Sequence, residues 1–190
     1  HFDTVLYTGN GSTGQSITSL EFQPDLVWCK SRSNSRNHVM TDSVRGRAKG
    51  SYPDADNAEF TDDAGRGLVS FNANGFTVGN PQNASSHNNN GETIVAWCWK
   101  AGGAAVSNSD GSITSSVSAN QEAGFSIVTF TGTGSAATVG HGLSKAPDFV
   151  ITKRRNASQS WFTHHKDLSN GHYVRLDDTN AQGGDTNVYP

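Results

Sequence analysis

The chain has one methionine, two cysteines and few leucines, and no apolar run in it approaches the ~20 residues needed to span a bilayer. No stretch sustains a helical apolar period, so long helices are not expected. Charged residues make up 16% of the sequence and the net charge is −3. A nucleic-acid surface needs a clustered basic face. The densest basic patch, Arg45, Arg47 and Lys49, is only three charges in a loop and reads as solvated. Neither a nucleic-acid partner nor membrane insertion is expected. What the chain has in plenty is Gly, Ser, Thr and Asn, a mix suited to many short strands joined by tight turns.

The opening segment is written twice. Phe2 to Ala58 matches Phe125 to Ala181 without a gap, at a constant offset of about 123 residues. Tyr7-Thr8-Gly9 answers to Phe130-Thr131-Gly132, and Pro24-Asp25-Leu26-Val27-Trp28 to Pro147-Asp148-Phe149-Val150-Ile151. Lys30 and Arg32 answer to Lys153 and Arg155. Apolar positions stay apolar while the polar surface drifts, as expected of two copies of one fold. The first copy continues through Leu68 to Phe71 and Thr93 to Trp99, but the second reaches Pro190 before supplying either segment. The expectation is that 1–190 is part of a longer polypeptide, or that another chain completes the second core. The implied organisation is a first repeat over 1–103, a Gly/Ser-rich linker over 104–123 that carries a short strand, and a truncated second repeat over 124–190.

Short apolar or alternating runs predict strands at Thr4–Tyr7, Leu26–Lys30, Asn37–Met40, Leu68–Phe71, Phe76–Val78 and Ile94–Trp99. In the second copy they predict Phe125–Thr131, Asp148–Thr152, Ser160–Thr163 and His172–Leu176. Asn74-Gly75 is the strongest hairpin signal, because such a pair accepts the positive φ angles of a type I′ turn. Leu26, Trp28 and Lys30 share one strand face and Val27 and Cys29 the other, which predicts a central strand covered on both sides. Cys29 and Cys98 both lie in apolar strands. A cross-sheet disulfide is one reading. The second copy carries Thr152 in place of Cys29, which favours two buried thiols. The fold class predicted is all-β, with tandem antiparallel β-sandwiches of the jelly-roll or concanavalin-lectin kind, the second incomplete.

Chemistry is harder to find. His141, His164, His165, His172, Asp177 and Asp178 carry metal-binding groups, but their spacing fits no defined motif, and adjacent His164 and His165 would point to opposite faces. Asp54, Asp56, Glu59, Asp62 and Asp63 suggest a calcium loop, yet Glu59 stands where the best-known loop needs Gly. No cofactor is expected, a structural calcium ion being the minor alternative. The glutamates, Glu21, Glu59, Glu92 and Glu122, form no carboxylate pair of the kind glycoside hydrolysis uses. A glycan-degrading enzyme is therefore the weakest reading. Residues 79–91 are nearly pure Asn, Ser and Gly. Their short amides and hydroxyls suit sugar hydroxyls beside an aromatic, so Asn83, Ser85, His87, Asn88, Asn89 and Trp161 form a candidate glycan or receptor loop. A surface loop of turn formers explains the same residues.

Several segments taken together resemble a known repeat: Tyr7-Thr8-Gly9-Asn10-Gly11, Pro24 to Arg32, Ser43-Val44-Arg45-Gly46, Phe71 to Gly79, Val95 to Gly103 and His141-Gly142-Leu143. They are similar to a repeat domain of virion proteins from marine tailed bacteriophages, of a structural or tail-fibre-like kind sometimes likened to concanavalin-type sandwiches. The resemblance covers nearly the whole chain. It implies a non-enzymatic structural protein of the phage particle, a component of a tail or capsid fibre. The partners implied are other virion proteins and further copies of the chain in a homo-oligomer, a trimer being one form. Host surface glycans are the partner in the alternative reading as a lectin-like module. The resemblance brings no catalytic residues.

Overall fold

The computed structural model describes residues 1–80 and 87–184. Regular structure among these residues is entirely β. The first unit comprises β1 (Phe2–Thr8), β2 (Gln15–Ile17), β3 (Leu26–Ser31), β4 (Val39–Asp42), β5 (Lys49–Ser51), β6 (Phe60–Thr61), β7 (Leu68–Asn72), β8 (Gly75–Val78) and β9 (Thr93–Trp99). A six-stranded sheet in the order β1-β9-β3-β4-β5-β6 faces a three-stranded sheet β2-β8-β7, and the pairings are antiparallel.

Alternation along the strands makes the core. Val5, Val27, Cys29, Ile94, Ala96 and Cys98 point inward from the large sheet. Ile17, Leu68, Phe76 and Val78 meet them from the small one, with Leu20 closing the end. Burying a side chain such as Phe76 contributes about 1.5–3 kcal/mol. Strand β3 is central, as its pattern predicts, paired with β9 on one side and β4 on the other. Cover on both faces is not found: Val27 and Cys29 are fully buried, whereas Leu26, Trp28 and Lys30 on the outer face are only half-buried. Both thiols are free and buried.

The β7–β8 hairpin forms where expected, with its turn one residue earlier. Asn72 pairs with Gly75, so the loop residues are Ala73 and Asn74. Gly75 has φ 154°, and a Cβ there would lie 1.8 Å from the Ile17 carbonyl oxygen, so only glycine fits.

The second unit comprises β10 (Val106–Asn108), β11 (Ser115–Asn120), β12 (Phe125–Phe130), β13 (Phe149–Thr152), β14 (Phe162–His165), β15 (His172–Arg175) and β16 (Gly183–Gly184). Strands β12 to β16 begin at the repeat spacing after β1, β3, β4, β5 and β6. Local hydrogen bonds recur at that spacing too. The His38 amide donates to Asp54 Oδ1 (3.0 Å), as the Trp161 amide does to Asp177 Oδ1 (2.8 Å). The Ser43 amide donates to the Asp25 carbonyl, as Lys166 does to Asp148, both at 2.8 Å. Duplication read from letters is thus duplication of geometry.

The stretch 104–123 is more than the expected linker with one strand. It holds both β10 and β11, and β11 pairs along the full length of β12, from Ser115↔Phe130 to Asn120↔Phe125. The sheet order β10-β11-β12 therefore assigns this hairpin to the second unit. A separate sheet, β13-β14-β15-β16, makes up the rest.

Candidate functional site

The residues expected to form one polar recognition loop fall in different places. Asn83 and Ser85 lie outside the described residues. Asn88 is 0% exposed and acts as an internal clamp. Its Nδ2 donates to the carbonyls of Ser12 (2.9 Å) and Gly79 (3.0 Å), and its Oδ1 accepts from the Asn10 amide (2.9 Å). His87 is buried beside it, and its carbonyl accepts a 2.6 Å hydrogen bond from the Tyr7 hydroxyl. Burial pushes the His87 imidazole down to about 4, against the opposing pull of Asp62. Asn89 is half-buried, and its carbonyl packs where a Cβ on Gly9 would stand. These side chains tie the β1–β2 turn to the end of β8. His87 and Asn88 do not face water, as a sugar-binding loop would require.

Trp161 belongs to another region, the joint between the two units. It is 4% exposed, and its indole Nε1 donates to the carbonyls of Tyr52 (2.8 Å) and Ala55 (3.1 Å). The buried indole N–H is satisfied by the protein itself, which is what burial of a Trp demands. The joint is polar and densely bonded. Arg155 donates to both oxygens of Glu59 at 2.9 Å, and Arg45 Nη1 donates to Glu59 Oε2 at 3.0 Å. Arg45 also pairs with Asp42 and donates to Ser51 Oγ (2.8 Å). Backbone bonds run both ways, Glu59 N to Arg155 O and Gln159 N to Asp56 O, each 2.8 Å. Burial alone would raise the Glu59 carboxyl, but the bonds from Arg155 and Arg45 outweigh it and hold it below the usual range. Lys153 lies 5.9 Å over the Trp161 ring and donates to the Asp56 carbonyl (3.1 Å). Arg45 is thus an interior ion-pair residue rather than part of a solvated patch.

The outer face of the large sheet carries a second cluster. Trp28 and Trp97 are cross-strand partners with ring centroids 5.8 Å apart at 72°. His38 stacks on Trp97 at 6.3 Å and 7°, and its Nδ1 accepts from Trp28 Nε1 at 2.9 Å. Burial lowers the His38 pKa, which favours the neutral ring that can accept this bond. The three rings are half-buried, beside Lys30 and the exposed Leu6.

The other candidate groups separate. Asp54 receives the His38 amide, Glu59 its two arginines, and Asp62 the Gly67 amide and Arg66. The acids of the calcium reading therefore serve different partners. His164 Nδ1 lies 2.8 Å from the His172 carbonyl, His165 pairs with Asp167, and Asp177 holds the Trp161 amide. Among the described residues no group of three or more His, Cys, Asp or Glu converges as a metal site. Glu92 bonds Arg36 through both oxygens and accepts from Ser31 Oγ (2.8 Å), and chiefly the Arg36 bonds hold its carboxyl down. A general acid needs the opposite shift.

Sequence reasoning gave Arg45 to a solvated patch and Glu59 to a calcium loop, and gave His38 no role beyond a strand. Arg155 is named there only as the repeat equivalent of Arg32. The partners of Arg45 are near in sequence, Asp42, Ser51 and Glu59, whereas Glu59 reaches Arg155 and His38 reaches Trp97 only through contacts between distant segments.

A family model described as "Domain of unknown function (DUF7483)" matches residues 1–190, and the chain belongs to that family. No curated protein and no solved structure matches it.

Proposed function

We propose that this member of the DUF7483 family is a non-enzymatic structural module of a bacteriophage particle, a component of a tail or capsid fibre built from repeated β-sandwich units. The observation that carries the reading is the joint. A strut needs successive units held in fixed relation, and here a buried Trp161, a Glu59 carboxylate shared by two arginines and reciprocal backbone bonds hold the repeats together. The buried acids support the same reading, since arginines lock Asp42, Glu59 and Glu92. Assembly with further copies and with other virion proteins follows from this role. The test is mass spectrometry of purified particles combined with antibody labelling of their surface. Labelled tails or capsid projections support the role, and absence of the protein from particles refutes it.

A second reading, recognition of host glycans, is favoured by one observation, the Trp28–His38–Trp97 cluster on the outer sheet face. Aromatic faces stack on the apolar faces of sugar rings. A glycan array probed with the wild type and Trp97→Ala tests it: binding lost in the variant supports recognition there, and no binding by either removes it.

A further inference from the structure

We infer that the outer face of the large sheet responds to acid: protonation of His38 breaks its bond with Trp28 and releases that indole, while the His38–Trp97 stack stays. His38 stands just ahead of β4. Its amide is held by Asp54 Oδ1 (3.0 Å) and Val39 beside it is buried, so the backbone is fixed and only the ring can respond. The ring lies parallel to Trp97, at 7° with centroids 6.3 Å apart, and across Trp28, at 68° and 5.8 Å. Trp28 Nε1–H donates to His38 Nδ1 at 2.9 Å. Among the described residues this is the sole hydrogen bond of either ring.

An indole N–H only donates, so Nδ1 carries the lone pair and the proton of the neutral imidazole sits on Nε2. The imidazolium carries N–H on both nitrogens. Two donors would then face each other, and Trp28 would lose its acceptor. The stack on Trp97 responds in the opposite sense, because a cation over an indole face gains attraction. Trp28 is therefore the ring that moves, turning its N–H to water. Charges reach His38 from two elements: Lys30 on β3 opposes the cation, and Asp54 in the loop after β5 favours it. Strand β9 presents Val95, Trp97 and Trp99 on this face, none of them titratable. Strand β4 presents Met40 and Asp42, the latter paired with Arg45. Arg36 is tied to Glu92, and burial keeps the Tyr52 phenol neutral beside Asp54. Burial outweighs the Asp54 charge and lowers the His38 pKa, so the bonded neutral form persists at neutral pH and is lost as pH falls.

The repeat supplies a contrast within one chain. Trp161 and Ile151 stand at the repeat positions of His38 and Trp28. The Trp161 amide donates to Asp177 as the His38 amide does to Asp54, so the backbone seat is the same. At that seat the second unit places a ring that cannot titrate and spends its N–H on the joint. The first unit places a ring that titrates in mild acid, bonded to a donor that its protonation repels. Acid thus alters the outer face of one unit and leaves the Trp161 contact alone. The inference holds whether or not that face meets a glycan.

The test follows the Trp28 indole N–H and the nitrogen resonances of the His38 ring in the full chain, as pH falls from about 7.5 to about 4.5. At the upper pH, Nδ1 should resonate as an unprotonated nitrogen and the Trp28 indole should exchange slowly with water. As His38 gains its proton, that exchange should rise about tenfold, as loss of one hydrogen bond implies, reversibly and with the amides of β3 and β9 unchanged. His38→Gln offers the indole an acceptor that does not titrate, so slow exchange should persist throughout. His38→Phe offers none, and exchange should be fast at every pH. His87→Gln should leave the step in place. A Trp28 indole whose exchange stays constant while His38 is protonated would overturn the inference. So would a step that survives His38→Gln, a ring protonated on Nδ1 at the upper pH, or a ring still neutral at the acid limit.

Discussion

Truncating Trp161 to Ala probes the joint where it is most exposed to measurement. The indole is 4% exposed and both bonds from its N–H end on backbone carbonyls of the first unit. Removing a buried Trp side chain costs about 3–5 kcal/mol, through lost transfer energy and the cavity left behind. The carbonyls of Tyr52 and Ala55 lose their shared donor, and each such group left unpaired adds about 1–3 kcal/mol unless water enters the gap. Trp161→Phe divides the two contributions, keeping most of the ring while deleting the donor. The cost should appear as earlier urea unfolding and faster amide exchange in β13, β14 and β15, with β3 and β9 retaining their protection. A loss below about 1 kcal/mol for Trp161→Ala would refute burial of this ring between the units, and with it the fixed joint.

Acid should weaken the first unit before its carboxylates titrate. The unfolded chain binds a proton at His87 near pH 6.5, while the folded chain resists until about 4. The unfolded state therefore holds more protons in that window, and stability falls as pH drops through it, by up to about 3 kcal/mol. His87→Gln should flatten the dependence of the urea midpoint between pH 6.5 and 4.5, and an unchanged slope would contradict burial of the neutral ring. The thiols should resist alkylation in the native state, since burial pushes Cys29 up to about 12 and raises Cys98 further. Iodoacetamide should label both only on unfolding, and reductant should leave the melting temperature unchanged; a reductant-sensitive melt would restore the disulfide. Phe76→Ala should cost about 3–5 kcal/mol and Trp97→Ala about 1–2, because Phe76 is fully buried and Trp97 only half-buried. Equal losses in thermal denaturation would place Trp97 in the core and contradict the open outer face.

The fold was legible where it rests on local chemistry. Short apolar or alternating runs mark β3, β8 and β9 in the first copy and β12, β13, β14 and β15 in the second. Strands β2, β5, β6 and β16 are two or three residues long and carry little apolar signal, so pairing partners rather than their own sequence define them. The hairpin of β10 and β11 looked like linker because Ser115, Ser116 and Ser118 are small and polar, and β11 gains its place from the ladder with β12. The candidate site was less legible. Asn88 reads as one amide of a glycan loop, but it is buried, and an amide suited to sugars is equally suited to clamping backbone carbonyls. Trp161 likewise spends its donor inside the protein. Glu59 reads as a calcium-loop acid and Arg45 as a solvated charge in the sequence alone; within the first unit they pair with each other, and Arg155 of the second unit adds the bond that crosses the joint.

The measurement that reaches the central claim most directly is residual dipolar coupling of backbone amides in weakly aligned protein. If the joint holds the repeats as one body, couplings from β3, β4 and β9 and from β13, β14 and β15 will fit a single alignment tensor, and Trp161→Ala will split it. Two independent tensors in the wild type, with the second reduced in magnitude, would show units moving freely about a flexible connection and would contradict the strut.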